Sequence, residues 1–388
     1  MAKCRYPYYM AFFMMAYYVT NCMYQSYMSL YYTSIRFSSA QIGLINAMVA
    51  VVSLISQPLW GTCGDRVKNR GRLIAMLALA SGAAALGFRL SSRFLPLLLM
   101  AGVFSCFYTS LQPMGDSIVL KKLEEHRQPF GPLRLSACVA FALAGMVFGR
   151  LVDGGREKWV PVYTAILCGI TAISTLSLPK TAGGQHAKGK KMSFGALLKH
   201  RDLMLLLAFM APVQITMGYF YTFFSPHFVS LEGGSSSLLG TCYLISAASE
   251  VPFLLLSDKL FDRFGAGRLM LVSAAALTAR WLMLALSSSV PVVMVSQAFH
   301  GWGFIVMTVC LAKYINRTVP VELQASGQML LAIVSFGIAR VTGNLGGGLL
   351  ADAIGRQNVF FLAAGICAVS LIGFAPYYLK HKPLNGLE

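Results

Sequence analysis

Acidic side chains are scarce in this chain: Asp and Glu together number 14 in 388 residues, and charged residues of both signs make up only 12%. A water-soluble domain carries about 25% charged residues, so most of this surface cannot face water. Long apolar runs recur from Tyr8 to Leu379 with no polar domain between them, which excludes a soluble domain hung on a single anchor. The nine cysteines lie singly and form no CxxC, so they read as reduced, small core residues, not as a disulfide framework or a metal site. HExxH, a phosphate-binding loop and an acyl-transfer Ser/His/Asp set are all missing from the helices, which argues against an enzyme. The first apolar run is too long for a signal h-region and lacks a small-residue cleavage site, so it is expected to remain in the mature protein.

What is present is apolar: 56% of the residues are hydrophobic, and the chain reads as an integral membrane protein. A hydropathy window of about 19 residues gives twelve helical spans: 8–34, 41–63, 73–90, 96–120, 132–152 and 159–178, then 203–230, 236–257, 269–287, 291–316, 324–350 and 358–379. The one long polar stretch, 179–202, separates residues 1–178 from residues 203–388, an expected six-helix bundle on each side. The net charge of +18 would suit a nucleic-acid binder only if Lys and Arg gathered on one soluble face. They sit instead in short loops. Arg36, Arg89, Arg93, Arg150, Arg156, Lys158 and Arg356 fall on one side of this layout and Arg134, Arg280 and Arg340 at membrane depth. All the others fall on the opposite side, which places both termini and the central stretch in the cytoplasm.

The halves echo each other. Asp65-Arg66 after the second span and Asp262-Arg263 after the eighth are 197 residues apart, and Asp153 and Asp352, each after a glycine-rich helix end, are 199 apart. Two six-helix repeats about an axis along the membrane normal, with a midplane site between them, form a transporter architecture.

Gly61, Asp65, Arg66 and Arg70 form a G-x-x-x-D-R-x-x-x-R loop between the second and third spans. With twelve spans, this resembles the major facilitator superfamily. The nearest resemblance within it is to the lactose permease-like proton symporters, which include oligosaccharide, nucleoside and phenylpropionate permeases. Gln57, Pro58, Leu59, Trp60 and Gly61 are similar to that group's second helix. Asp116 and Arg134 keep the separation of its sugar-binding carboxylate and arginine, and Cys138 and Phe141 fall where it has a cysteine and a stacking aromatic. Arg280, His300 and Lys313 also keep their relative spacing. The departures matter as much, and they imply a rearranged proton pathway. Gly303 stands where the group carries a carboxylate one turn after the histidine, Ala247 stands at its eighth-helix carboxylate, and no acid lies between Leu203 and Ser230.

An ionisable side chain near the bilayer centre costs roughly 2.5–3.5 kcal/mol on insertion scales, so it persists when paired or facing a cavity. Asp116 and Arg134 are the tools for gripping hydroxyls or a carboxylate, or they form a helix–helix ion pair. Phe141, two turns beyond Arg134, is a stacking face or core packing. Gln112, one turn before Asp116, joins the candidate solute contacts with Asn21, Tyr24 and Gln25 on the first span and Gln214 and Tyr221 on the seventh. The last two belong to an i, i+4, i+7 stripe with Gly218 and Ser225 that is expected to face a cavity. Tyr17, Tyr18, Tyr31 and Tyr32 suit a cavity or an interface belt.

Glu250 is the one acid well inside a span of the second half. A poorly solvated carboxyl can load and release a proton near neutral pH, which makes Glu250 the candidate coupling group, with Arg280, His300 and Gln297 as its modulators. A permanent Glu250–Arg280 salt bridge is the structural alternative. Arg340 has no evident acidic partner in sequence. Asp65, Arg66 and Arg70, with Asp258, Asp262 and Arg263, read as charge contacts of a cytoplasmic gate. The expected protein is therefore an all-α, twelve-helix, monomeric symporter of the cell membrane. It has a small-molecule substrate and protons as coupling ion, and no other cofactor, metal or nucleic acid. A proton-driven efflux antiporter and a non-transporting receptor are the alternatives.

Overall fold

A computed structural model describes residues 6–179, 195, 197 and 199–380. Most of the central stretch 179–202 and the basic Lys3 and Arg5 lie outside the described residues. The helices are α1 (Ala11–Ser34), α2 (Ser39–Arg66), α3 (Arg70–Gly87), α4 (Phe94–Tyr108), α5 (Leu111–Glu125), α6 (Gly131–Val152) and α7 (Val160–Ser174). They continue as α8 (Arg201–Val229), α9 (Ser236–Leu286), α10 (Val290–Ser296), α11 (His300–Thr318), α12 (Val321–Ala332), α13 (Ala339–Ile354) and α14 (Arg356–Lys380). Each expected span coincides with helix, and nine helices among the described residues are long and apolar enough to cross a membrane. In hydrocarbon a spanning segment must satisfy its backbone internally, and helices do this within one segment.

The breaks have local causes. Ser38 and Gln41 form a capping box at the start of α2, and Asn69 Oδ1 accepts from Arg72 N to start α3. Gly265, at φ +70°, interrupts α9 in a conformation that side-chain-bearing residues avoid. The chain also breaks at Val67–Asn69, at the offset that relates the two Asp-Arg pairs. The fourth span bends at Thr109–Ser110, the tenth carries a 3-10 turn at Gln297–Phe299, and the eleventh a π-helical segment at Ile333–Ile338.

The chain divides into two compact units, Met1–Lys188 with Ser236–Gly240, and Gly189–Ser235 with Thr241–Glu388. In the first, α1 is the buried centre, tied by Tyr27 Oη donating to Gly145 O, Tyr31 Oη to Phe88 O, and a Thr20–Thr171 hydroxyl contact. Tyr17, Tyr18, Tyr31 and Tyr32 are buried, so they are core residues and form no interface belt. In the second, α8 is the buried centre. Polarity is inverted relative to a soluble protein: Arg280, Gln297, Gln214 and Asn344 are buried, whereas Leu90, Val147, Ile173, Leu286 and Ile372 are exposed.

Close backbone approach fixes α13 on α8. A Cβ on Gly218 would lie 3.0 Å from Ala339 O, and one on Gly343 would strike Ile215 O. Small residues let helices approach in this way in a membrane. Gly218 is thus a packing residue, and Gln214 and Ser225 on the same stripe are buried as well, so the expectation of a cavity-facing stripe fails there. Gly343→Val should lower stability by about 1–3 kcal/mol through overpacking against backbone that cannot yield. Thermal unfolding in nanodiscs checks this, and an unchanged Tm would contradict the packing.

Candidate functional site

In the first unit, α1 presents Asn21, Tyr24 and Gln25 as half-buried residues on a helix otherwise largely covered. Asn21 Nδ2 donates to Gln25 Oε1 at 3.1 Å, and the Tyr24 ring meets Phe104 and Tyr108 at 4.5 and 5.3 Å. On α5, Gln112 Nε2 donates to Tyr18 Oη at 2.9 Å and reaches Asp116 Oδ2 at 3.5 Å. Arg134 on α6 lies over the Tyr18 ring, 4.8 Å from its centroid. Asp116 and Arg134 therefore do not pair, and the expected helix–helix ion pair is absent among the described residues. They meet only through Gln112 and Tyr18. Phe141 is half-buried, two turns beyond Arg134.

The second unit gathers its four candidate residues into one chain of contacts. Arg280, fully buried at 0% exposure, donates through Nη1 to His300 Nδ1 at 2.9 Å and through Nη2 to Gln297 Oε1 at 2.6 Å. His300 Nε2 lies 3.2 Å from Glu250 Oε1. A guanidinium offers only hydrogens, so Nδ1 must present its lone pair. That assigns the ring proton to Nε2, which donates to the Glu250 carboxylate. Ser246, one turn before Glu250, donates to the same Gln297 oxygen at 3.2 Å. The guanidinium also faces Phe220 at 4.1 Å and Trp281 at 5.2 Å. The expected alternative of a direct Glu250–Arg280 bridge does not form, because the imidazole stands between them.

Gly301 makes the arrangement sterically available: a Cβ there would strike Ser249 O, so only glycine lets α11 lie against α9 at this level. The Gly301 N–H donates to Ser249 Oγ at 2.9 Å. At Gly303 the neighbouring space is filled by the Leu277 side chain. Glu250 thus reaches the imidazole from the facing helix, and its side chain is 21% exposed. Tyr221 meets the His300 ring edge-on at 6.0 Å and carries the Arg340 guanidinium on its face at 4.3 Å. Gln214 lies two turns away, outside this group.

The loop charges pair within their own units. Asp65 bonds Arg70, whose Nε also donates to Gly64 O. Asp258 and Asp262, one turn apart, meet Lys313 and Arg317, also one turn apart, at 2.5 and 2.6 Å. Arg66 is exposed, and Arg263 lies over Phe264 at 5.4 Å.

The model of the MFS_1-like family matches residues 8–362. The chain belongs to this family. It is a multi-pass membrane transporter of small molecules, not an enzyme. The chain is similar to the maltose permease of Geobacillus stearothermophilus, 27% identical over 87% of this chain and 86% of that relative. It is also similar to a probable 3-phenylpropionic acid transporter of Escherichia coli, 24% identical over 77% of this chain and 79% of the relative. A crystal structure of the nucleoside transporter NupG shares the fold with a TM-score of 0.83 at 17% identity, covering 95% of this chain and 99% of that one. For this MFS_1-like chain, sequence reading missed Phe220, Ser246 and Trp281, and left Tyr18 between a cavity and an interface belt. Ser246 carried a usable signal, one turn from Glu250; the rings carried none, since aromatic partners of a cation are uncharged.

Proposed function

We propose that this chain is a proton-coupled symporter. It carries a small polar or amphipathic solute, such as a sugar, a nucleoside or an aromatic acid, by alternating access. One observation supports this above all: a partly exposed carboxylate, a histidine and a fully buried arginine in a single hydrogen-bonded chain, Glu250–His300–Arg280. A proton on Glu250 cancels the charge that His300 relays to Arg280. That weakens His300 Nδ1 as an acceptor for the guanidinium, so protonation favours a different arrangement of α9 and α11. A ligand shifts such an equilibrium only by binding the two states unequally, and the proton does so here.

Asp116, Arg134, Gln112, Asn21 and Gln25 supply donors and acceptors suited to hydroxyls, with the Tyr24 and Phe141 rings for stacking. Maltose, nucleosides and 3-phenylpropionic acid, in the names of the relatives, fall within that chemistry. The distribution of basic residues supports a cytoplasmic-membrane protein with both termini inside. Asp65, Arg70, Asp258 and Asp262 act as gate residues by re-pairing as accessibility alternates.

Proteoliposomes with an outward-acid pH gradient test the proposal. The expected result is accumulation of solute that a protonophore abolishes. Extrusion of solute driven by the same gradient, or uptake indifferent to it, would refute symport.

A further inference from the structure

Arg340 carries a charge that no carboxylate of its unit answers: among the described residues it has no ion pair. At membrane depth this unit holds Arg280, Arg340 and Glu250, and Glu250 is already engaged through His300 with Arg280. One positive charge is left over. An arginine turned toward hydrocarbon would be expensive, so this half-buried guanidinium must be met by water or by a solute anion.

The placement is built. Gly218 and Gly343 bring the α8 and α13 backbones together beside Arg340, whose Cα would lie 3.3 Å from a Cβ on Gly218. The π-helical segment Ile333–Ile338 ends two residues before Arg340, and such segments shift the face a helix presents. The ring that carries the guanidinium, Tyr221, is also the ring that meets His300. The first unit holds the same pair, Arg134 over Tyr18, on the corresponding spans. There, however, Gln112 links Tyr18 to Asp116, so an acid belongs to the group. The second pair reaches an acid only through the His300 ring, and that acid, Glu250, is the one already engaged with Arg280.

We propose that Arg340, seated on Tyr221, is an anion-binding subsite and that the transported solute is a monocarboxylate. A carboxylate accepts two parallel hydrogen bonds from the guanidinium fork and cancels the surplus charge, whereas a dianion would overshoot it. The coupling half of this proposal rests on the symport reading above; the binding half does not. An anion bound beside Tyr221 disfavours a second negative charge on Glu250, so Glu250 takes up one proton as the carboxylate enters. One anion and one proton then cross together, and both are released on the far side with no net charge moved.

The test uses the full-length protein in proteoliposomes on a solid-supported membrane, with acetate, benzoate and 3-phenylpropionate, each beside its amide. The expected result is acid-driven uptake of at least one labelled carboxylate above that of protein-free vesicles, without current, and no uptake of its amide. Arg340→Gln should weaken binding of that carboxylate roughly ten- to hundredfold by thermal shift, with Arg340→Lys in between. Carboxylate uptake with a negative current would retain the subsite and refute proton coupling. Acid-driven positive current with the amides would retain coupling and refute the subsite. Failure of every carboxylate to bind, or undiminished binding in Arg340→Gln with wild-type Tm, would also overturn the subsite.

Discussion

Glu250→Gln should abolish accumulation of solute against a gradient while leaving downhill exchange at a substantial fraction of the wild-type rate. The substitution keeps the size of the side chain and an oxygen to accept from His300 Nε2, now 3.2 Å from Glu250 Oε1, but removes the titratable proton site. Binding and the alternation of states survive, because neither needs the carboxyl to ionise. Coupling does not survive, since the loaded and unloaded states no longer differ by a proton. Counterflow and active uptake, measured in the same vesicles, separate the two. Retained accumulation in Glu250→Gln would place the coupling group elsewhere.

Arg280→Ala should be more damaging, abolishing transport and costing about 3–5 kcal/mol of stability, the range for removing one partner of a buried charged group. Arg280 is fully buried and donates to both His300 and Gln297, so its loss leaves His300 Nδ1 without a donor and Gln297 Oε1 with Ser246 alone, and empties the space beside Phe220 and Trp281. Arg280→Lys should recover folding more than function, because an ammonium is a point charge and does not reproduce the planar fork that serves both acceptors. Thermal unfolding and uptake check these outcomes. A stable, active Arg280→Ala protein would remove the arginine from the mechanism.

Much of the second unit's site is legible in the sequence. Ionisable residues at membrane depth are so few that Glu250, Arg280 and His300 had to be considered together, and Gln297 followed from its one-turn spacing to His300. Their order in space was not readable. The imidazole lies between the acid and the base because of the 3-10 turn at Gln297–Phe299 and the close approach at Gly301, both products of packing between α9 and α11. The same limit explains Arg340: a search for an acidic partner could not find Tyr221, which is uncharged. Gly218 was misassigned because in a membrane a small residue on a polar stripe serves helix contact as readily as a cavity wall. The helices themselves were legible throughout, since hydrocarbon leaves an apolar segment of that length few other structures to adopt.

Infrared difference spectroscopy on solute binding, with wild type and Glu250→Gln compared in the same lipid, measures the central event most directly. The account predicts a solute-induced carboxylic-acid carbonyl band in the wild type, as Glu250 takes up its proton, and its loss in Glu250→Gln. An identical difference spectrum in both proteins, with solute bound, would contradict it.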